Sequence, residues 1–468
     1  MSKNKGKTAE ELLQEALVPV EEQPYKVPEN WVWVKLGNIS VIKRGASPRP
    51  KGDPKYFNGL IPWLKISDVT KQGKYIFETE DTVTEEGKEK SVWVEPDTIV
   101  LSISASVGRP AITKVGVCIH DGFVKIEENK EILNKEYLYY YLVAALNRML
   151  NKAKGAAQVN INSEVVKNLE VALPPIIEQK RIAGKVERLL NKINQAKQLI
   201  EEAKETFELR RAAILERAFR GELTEKWQSV ECETQSTEKE TPFKLPEGWR
   251  WSTVEAICED IIDCPHSTPK YVEEGIPALR TSDIGFAKID LSDSKKVSEE
   301  EYMERTKRTI PKYGDVIYCR EGAGIMMNAG NAGMIEDQKV CLAQRLVLLR
   351  PNPSIVQYKY FLFGMNSLII FKQAMKNVSQ TTSPRVNVTT IRKFMFPVAP
   401  IEVQTEIIKK IETLLEKESL IDFESLSKIL GNIEKSIVTK SLRGELDTND
   451  PSEESALKLL EDFLANSK

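Results

Sequence analysis

Six stretches of this 468-residue chain occur twice, in the same order. Val27-Pro28-Glu29-Asn30-Trp31-Val32-Trp33 returns as Leu245-Pro246-Glu247-Gly248-Trp249-Arg250-Trp251. Ile61-Pro62-Trp63-Leu64-Lys65-Ile66-Ser67-Asp68-Val69 returns as Ile276-Pro277-Ala278-Leu279-Arg280-Thr281-Ser282-Asp283-Ile284. Val117-Cys118-Ile119 matches Val340-Cys341-Leu342, and Ile161-Asn162 matches Val386-Asn387. Leu173-Pro174-Pro175-Ile176-Ile177-Glu178-Gln179 pairs with Val398-Ala399-Pro400-Ile401-Glu402-Val403-Gln404. Ala218-Phe219-Arg220-Gly221-Glu222-Leu223 pairs with Ser441-Leu442-Arg443-Gly444-Glu445-Leu446. The offset drifts only from 215 (Ile61 to Ile276) to 225 (Gln179 to Gln404). An ordered duplication of this extent means that whatever one copy builds, the other builds again.

The termini carry a weaker match. Thr8 to Leu17 resembles Ser455 to Leu464. Two readings stand: a closed, two-fold arrangement with both termini at one junction between the halves, or a chance likeness of two leucine-rich amphipathic helices.

Each copy reads as strand-rich with some helix. Thr98 to Ser102 and Val316 to Tyr318 are β-prone runs that follow Asp97 and Asp315. Residues 45–50 and 265–269 read as loops, and Tyr137 to Ala153 and Gln357 to Lys376 as helices. After each proline-rich strand end a long helix is expected. Its first seam is Ile182, Val186, Leu189, Ile193, Ala196, Ile200, Ala203, Phe207 and Ile214, with Arg210 the polar exception. Spacings of four and three alternate, which is the heptad signature of a coiled coil. From Pro175 to Leu223 such a helix spans about 70 Å. The second seam is Ile408, Ile411 and Leu415, then Leu426, Ile429, Ile433 and Ile437; the gap between 415 and 426 suggests a shifted register. Two such helices in one chain most simply pack antiparallel.

The expected organisation is an N-terminal helical segment packing at the junction of the halves (1–26), a first globular copy (27–175) and a long helix (176–227). A polar linker (228–242) leads to the second copy (243–400), the second long helix (401–446) and a C-terminal segment with a short helix (447–468). The fold class is α+β: two homologous mixed α/β domains, separated by two long antiparallel coiled-coil helices in a pseudo-two-fold, cyclic arrangement.

Lys and Arg number 67 and Asp and Glu 69, so bulk positive charge is not what would hold this chain to a polyanion; a local basic face would have to do so. No apolar run is long enough for a membrane span, and the start of the chain reads as a polar helix rather than a signal peptide. The six cysteines form no Cys-x-x-Cys pair and read as thiols of a cytoplasmic protein. With two histidines, His120 and His266, most His-based metal and acid–base chemistry is excluded.

Taken together, the Leu-Pro-Glu-Gly-Trp opening, the Ile-Pro-x-Leu-Lys/Arg-x-Ser-Asp core, the Pro-Pro-x-x-Glu-Gln start of a long helix and its Arg-Gly-Glu-Leu end, all in duplicate, resemble the specificity subunit of Type I restriction–modification enzymes. The resemblance runs from about Thr8 to Leu464. It implies that each copy is a target recognition domain reading one half of an asymmetric, bipartite site in double-stranded DNA, with the helices as a spacer. It further implies two modification (methyltransferase) subunits docked on the chain and, through them, restriction (translocase/endonuclease) subunits. S-adenosylmethionine would belong to the first partner, ATP and Mg2+ to the second, and no cofactor to this chain. The isolated chain is expected to behave poorly or self-associate.

Direct signs of catalysis are few. There is no Gly-x-x-x-x-Gly-Lys-Ser/Thr loop, and Val171-Ala172-Leu173-Pro174-Pro175 lacks the amide or acid of an amino-methyltransferase motif. Pro96-Asp97 with Glu128-Asn129-Lys130 formally fits a metal-dependent nuclease pattern. In the second copy Asp315 matches Asp97, but Pro351 stands opposite Glu128. The chain is therefore read as non-catalytic. A rival reading is a coiled-coil scaffold whose globular repeats bind proteins and no DNA.

Base reading needs donors and acceptors at groove depth; phosphate contacts need Lys, Arg and backbone amides. Candidates in copy one are Lys43, Arg44, Ser47, Arg49, Lys65, Ser67, Arg109, His120, Gln158, Asn160 and Asn162. Those in copy two are His266, Ser267, Thr268, Lys270, Arg280, Thr281, Ser282, Arg320, Gln344, Arg345, Thr381, Thr382, Arg385 and Asn387. For Lys65 and Arg280, DNA contact and a salt bridge to Asp68 or Asp283 are both open. His120 reads as a base contact or as a polar spot at a strand end. The Trp31/Trp33 and Trp249/Trp251 pairs, placed alike in both copies, are expected to pack in cores.

Overall fold

The computed structural model describes residues 8–104, 108–153, 161–224, 241–321, 331–378, 385–416 and 421–466. The chain forms two units, Met1–Gln198 with Glu424–Lys468, and Leu199–Phe423. The expected linker falls mostly on residues 225–240, outside the described residues.

The duplication is realised strand by strand. In unit 1, Val32–Lys35 pairs antiparallel with Glu170–Leu173, Val32 opposite Leu173. In unit 2, Arg250–Thr253 pairs with Met395–Val398, Arg250 opposite Val398. Phe57–Leu64 runs parallel to Val117–Ile119 with Leu64 opposite Ile119, and Ile276–Leu279 runs parallel to Cys341–Leu342 with Leu279 opposite Leu342. The largest sheet of unit 1 is ordered Ser40–Arg44, Phe123–Glu128, Ile99–Ser102, Pro110–Thr113, Tyr75–Ile76. Unit 2 repeats its first four places as Cys258–Asp263, Leu346–Pro351, Val316–Cys319, Ala332–Met334. Ile99–Ser102 and Val316–Cys319 are buried along their whole length, as central strands covered on both faces must be.

The shared motifs are structural clamps. Gln179 is fully buried; its Nε2 donates to the carbonyls of Ile132 (2.8 Å) and Pro174 (2.9 Å), and its Oε1 accepts from the Asn134 amide (2.7 Å). Gln404 does the same with Ile355, Ala399 and the Gln357 amide. A buried amide is tolerated because every polar atom is matched. Tyr137 and Tyr360 donate in the same way to the carbonyls of Ala172 and Pro397. Trp31, Trp33 and Trp249 are buried, as their placement at both segment starts implied, and Trp251 donates to the carbonyl of Phe243.

The first long helix, Ile176–Phe219, has 44 residues. It ends because Gly221 turns left-handed at φ 82°: Glu222 N–H then reaches back to the Arg217 carbonyl at 2.9 Å. Gly444, at φ 74°, ends the last helix of the second copy in the same way, with Glu445 N–H on the Lys440 carbonyl. The repeated Arg-Gly-Glu-Leu is thus a glycine C-cap with a six-to-one hydrogen bond. Lys185 donates to the Leu446 carbonyl within unit 1, and Lys410 to the Leu223 carbonyl (2.5 Å) within unit 2.

The second helix departs from expectation. It is two helices, Ile401–Leu415 and Phe423–Ser441, with Ile421 and Asp422 non-helical. The gap in the apolar spacing marks an interruption as well as a change of register. Helices pair antiparallel inside each unit: Lys197 meets Glu434 in unit 1 (2.5 Å), and Phe207 meets Phe423 in unit 2 (ring centroids 5.6 Å). In the first seam Ile182, Val186, Ile193 and Ile214 are buried, and Leu189, Ile200, Ala203 and Phe207 are half-buried. In the second, Ile411 is buried and Ile408 and Leu415 half-buried, but Leu426, Ile429 and Ile433 are 40%, 52% and 43% exposed. The covered face there is Phe423, Leu430, Glu434, Ile437, Val438 and Ser441. Two stripes share that helix: of the spacing's four positions Leu426, Ile429 and Ile433 fall on the outer one and Ile437 on the covered one.

The terminal helices, Ala9–Ala16 and Ala456–Asn466, pack on each other inside unit 1. Leu460 and Leu464 enter the core that holds Ala16. Ala456 N–H donates to the Asn30 carbonyl at 2.9 Å, and Val18 N–H to the Trp33 carbonyl at 2.9 Å, so the segments that follow the first terminal helix and open the last one both meet the start of the first copy. No described helix is long and apolar enough to cross a membrane.

Candidate nucleic-acid interface

The candidates gather most densely at the strand ends of unit 2. Cys258–Asp263 ends on Asp263, Val316–Cys319 runs into Arg320 and Glu321, and Leu346–Pro351 begins just after Gln344 and Arg345. Val386 N–H donates to the Arg320 carbonyl (2.8 Å), and Glu321 bridges to Arg385, which brings in residues 385–389. The result is a cleft of about 490 Å³. Of the sequence candidates, His266, Arg320, Gln344, Arg345, Arg385 and Asn387 line it. Sequence reasoning missed two carboxylates. Asp263 meets Arg320 Nε at 3.1 Å and His266 Nε2 at 3.2 Å, and Glu321 meets Arg345 Nε at 3.3 Å. Glu321 directly follows Arg320 in the sequence, a signal that could have found it. Gln344 Nε2 donates to the His266 carbonyl at 2.6 Å.

Backbone hydrogen bonds identify the counterparts in unit 1. Gly45 N–H donates to Phe123 as Cys264 N–H does to Leu346, and Ile103 N–H donates to Gly122 as Arg320 N–H does to Arg345. Arg44, Ser47, Ile103, Ser104, Asp121 and Gly122 therefore stand where unit 2 has Asp263, His266, Arg320, Glu321, Gln344 and Arg345. The framework is kept and its chemistry replaced. Ser47 Oγ donates to Asp121, and Arg44 Nε to the Asp121 carbonyl at 2.9 Å. The Ser47 hydroxyl holds the Asp121 carboxyl below the usual carboxylate range. Lys43 and Arg49 are exposed nearby. His120 is engaged at its strand end: its Nδ1 accepts from Gly122 N–H (2.9 Å) and its ring lies against Phe123 (4.9 Å) and Trp63 (6.0 Å). Burial lowers its pKa, so the ring is neutral near pH 7.

The other candidates scatter. Arg280 is bound to Asp283 through Nη2 (2.8 Å) and to the Asp293 carbonyl (2.8 Å), whereas Lys65 pairs with Asp81 and offers only its backbone N–H to Asp68 (2.8 Å). Ser67 is exposed, Ser282 Oγ donates to Asp283, and the Thr281 carbonyl accepts from Cys319. Ser267 accepts from the buried Arg305, and Thr268 and Lys270 are exposed beside it. Arg109 reaches Thr70 Oγ1 at 3.3 Å. Asn162 caps helix Ser163–Lys167 by accepting from Val165 N–H, while the matching Asn387 makes no such cap and faces the cleft. Gln158, Asn160, Thr381 and Thr382 lie outside the described residues.

Asp97 and Glu128 do converge, but on an ammonium. Lys135 pairs with Asp97 and lies 3.5 Å from Glu128; Lys114 adds a second pair at 3.0 Å. Lys135, then Lys114, hold the Asp97 carboxyl below its ordinary value. Among the described residues no group of three or more His, Cys, Asp or Glu could hold a metal ion.

A duplicated α+β chain, with long helices and differing polar strand ends on one framework, is the architecture of a two-domain recognition protein. The family of the Type I restriction modification DNA specificity domain matches residues 28–205 and 267–429, and the chain belongs to it. It is 25% identical over 447 residues to the Type I restriction enzyme EcoKI specificity subunit of Escherichia coli K12, covering 90% of each chain. It is 22% identical over 438 residues to the EcoBI specificity subunit of Escherichia coli, covering 90% of this chain and 87% of that one. With the MjaVIII specificity subunit of Methanocaldococcus jannaschii it shares 21% identity over 399 residues, covering 84% and 88%. A solved structure described as "Structural basis underlying complex assembly and conformational transition of the type I R-M system" matches with a TM-score of 0.60 at 20% identity, over 90% of this chain and all of that one.

Proposed function

We propose that this chain is the DNA-recognition subunit of a Type I restriction–modification complex, with each unit reading one half of an asymmetric bipartite site. The observation that carries the reading is a shared backbone framework whose equivalent strand-end side chains differ: Arg44, Ser47 and Gly122 in one unit, Asp263, His266 and Arg345 in the other. Two readers on one framework with different side chains suit two different half-sites. The helices then act as a spacer, turning helix length into a required separation along DNA. The family match weighs against the scaffold reading.

On this reading the chain carries no catalysis. Two modification subunits bind S-adenosylmethionine and transfer the methyl group, and restriction subunits use ATP and Mg2+; all act on DNA in the cytoplasm. Exposed leucine and isoleucine side chains on the helices, among them Leu199, Leu209, Ile429 and Ile433, are apolar surface suited to such docking. The test is to reconstitute the full chain with the modification subunits of a Type I system and map transferred methyl groups at base resolution. A split motif with two unlike halves supports the reading; methylation without sequence preference contradicts it.

A further inference from the structure

Among the described residues Arg345 is one of five non-glycine residues held left-handed, at φ 71°. L side chains avoid that region because Cβ crowds the following carbonyl, and residues kept there cluster at functional sites. The equivalent position in unit 1 is Gly122, whose backbone is not left-handed, so the strain belongs to unit 2 alone. The Arg345 side chain is half exposed and lines the cleft, and its Nε rests on Glu321 at 3.3 Å. Below it Arg320 is nearly buried, at 7% exposure. Arg320 Nε faces Asp263 Oδ1 at 3.1 Å, off the line of a hydrogen bond, and among the described residues neither atom has another partner. A concave site with a strained, buttressed arginine at its rim and a buried arginine–aspartate ion pair at its floor suits a polar ligand.

We propose that Arg345 is the residue with which unit 2 reads a guanine in its half-site, an assignment that rests on the DNA-reading function above. The ion pair uses Nε, on one side of the planar fork. The Nη1–Nη2 edge then matches the paired acceptors O6 and N7 of guanine in the major groove. A phosphate fits less well, because Arg320 and Arg345 each bring a carboxylate, and Asp263 and Glu321 would repel it. Gln344 is tied to the His266 carbonyl and serves as support. Glu321 is a positioning residue: it fixes the direction of the fork.

The experiment uses the full chain with its modification subunits and base-resolution methylation mapping of wild type, Arg345→Gly and Glu321→Gln. Glycine adopts φ 71° freely, so Arg345→Gly is expected to fold with an unchanged or higher Tm. Discrimination at one G·C pair in one half-site should fall by on the order of 10- to 100-fold, with the other half-site untouched. Glu321→Gln should weaken preference at that same pair and nowhere else. An unchanged Arg345→Gly motif overturns the assignment and leaves the wild-type reading intact. So does a uniform loss at every position with a salt slope reduced by about 1, which marks a phosphate contact. A wild-type complex without any motif defeats the underlying reading itself.

Discussion

Trp31 Nε1 donates to Glu178 Oε2 at 2.7 Å inside the core of unit 1, joining the first repeated motif to the start of the long helix. In unit 2 the matching positions are Trp249 and Val403, and the buried Trp249 Nε1 has no hydrogen-bond partner among the described residues. Glu178 is fully buried, also accepts from Asn449 Nδ2 at 3.0 Å, and has its pKa raised, because burial outweighs the two donors. A carboxyl whose folded pKa is raised binds its proton more tightly in the native state. Its contribution to stability therefore falls as pH rises from the ordinary carboxylate range through the raised value. Glu178→Gln is expected to match or exceed the wild-type Tm at neutral pH, with the difference vanishing in acid. A variant that is weaker by the same amount at every pH contradicts this account.

The two glycine caps make a second prediction. A Cβ on Gly221 would lie 2.3 Å from Pro246 Cγ, and one on Gly444 would lie 2.5 Å from Pro28 Cγ. Gly221→Ala and Gly444→Ala each add backbone strain and a collision, costing about 1–3 kcal/mol. Gly52→Ala is the control: φ is 81° there, but the space is open, so only the backbone cost of about 1–2 kcal/mol remains. Denaturant midpoints of the three variants order them. A Gly52 variant as weak as the other two would sink the cap argument.

Lys65 and Arg280 separate in a third test. Arg280 is bound twice to Asp283 and once to the Asp293 carbonyl, while Lys65 makes one exposed pair with Asp81. Arg280→Ala should cost about 1–3 kcal/mol, because the nearly buried Asp283 loses a charged partner, and should leave the methylated motif unchanged. Lys65→Ala should cost less than about 1 kcal/mol. Thermal melts and methylation maps of both variants decide it; an altered motif in Arg280→Ala would show that it reads DNA.

The exposed stripe gives a fourth. Leu426, Ile429 and Ile433 contribute little to the fold of the chain at 40–52% exposure. Replacing Ile429 and Ile433 by Glu should leave the Tm of the isolated chain within about 2 °C and weaken its association with modification subunits in sedimentation. Unimpaired association contradicts docking on this face.

The sequence made the architecture legible because the repeat acts as an internal alignment. It located both copies of the buried Gln clamp and both Arg-Gly-Glu-Leu turns before their geometry was visible. It did not show why those residues recur; that needed the hydrogen bonds of Gln179 and the left-handed φ of Gly221. The cleft was half legible. His266, Arg320 and Arg345 stood out as polar residues specific to one copy, and Asn387 as the repeat of Asn162. Asp263 and Glu321 did not, because an acid earns attention as a DNA reader's partner only once sheet order brings it against an arginine. Leu426, Ile429 and Ile433 of helix Phe423–Ser441 were misassigned to the seam, while Ile437 was placed correctly, for a related reason: periodicity shows that a face is apolar, not which neighbour covers it.

The central claim is that each unit independently reads one half-site. The most direct test maps methylation by the reconstituted complex after residues 246–400 have been replaced by residues 28–175. The account predicts a motif in which the half-site of unit 2 becomes a second copy of that of unit 1. A motif unchanged from wild type, or a preference altered in both halves together, would contradict it.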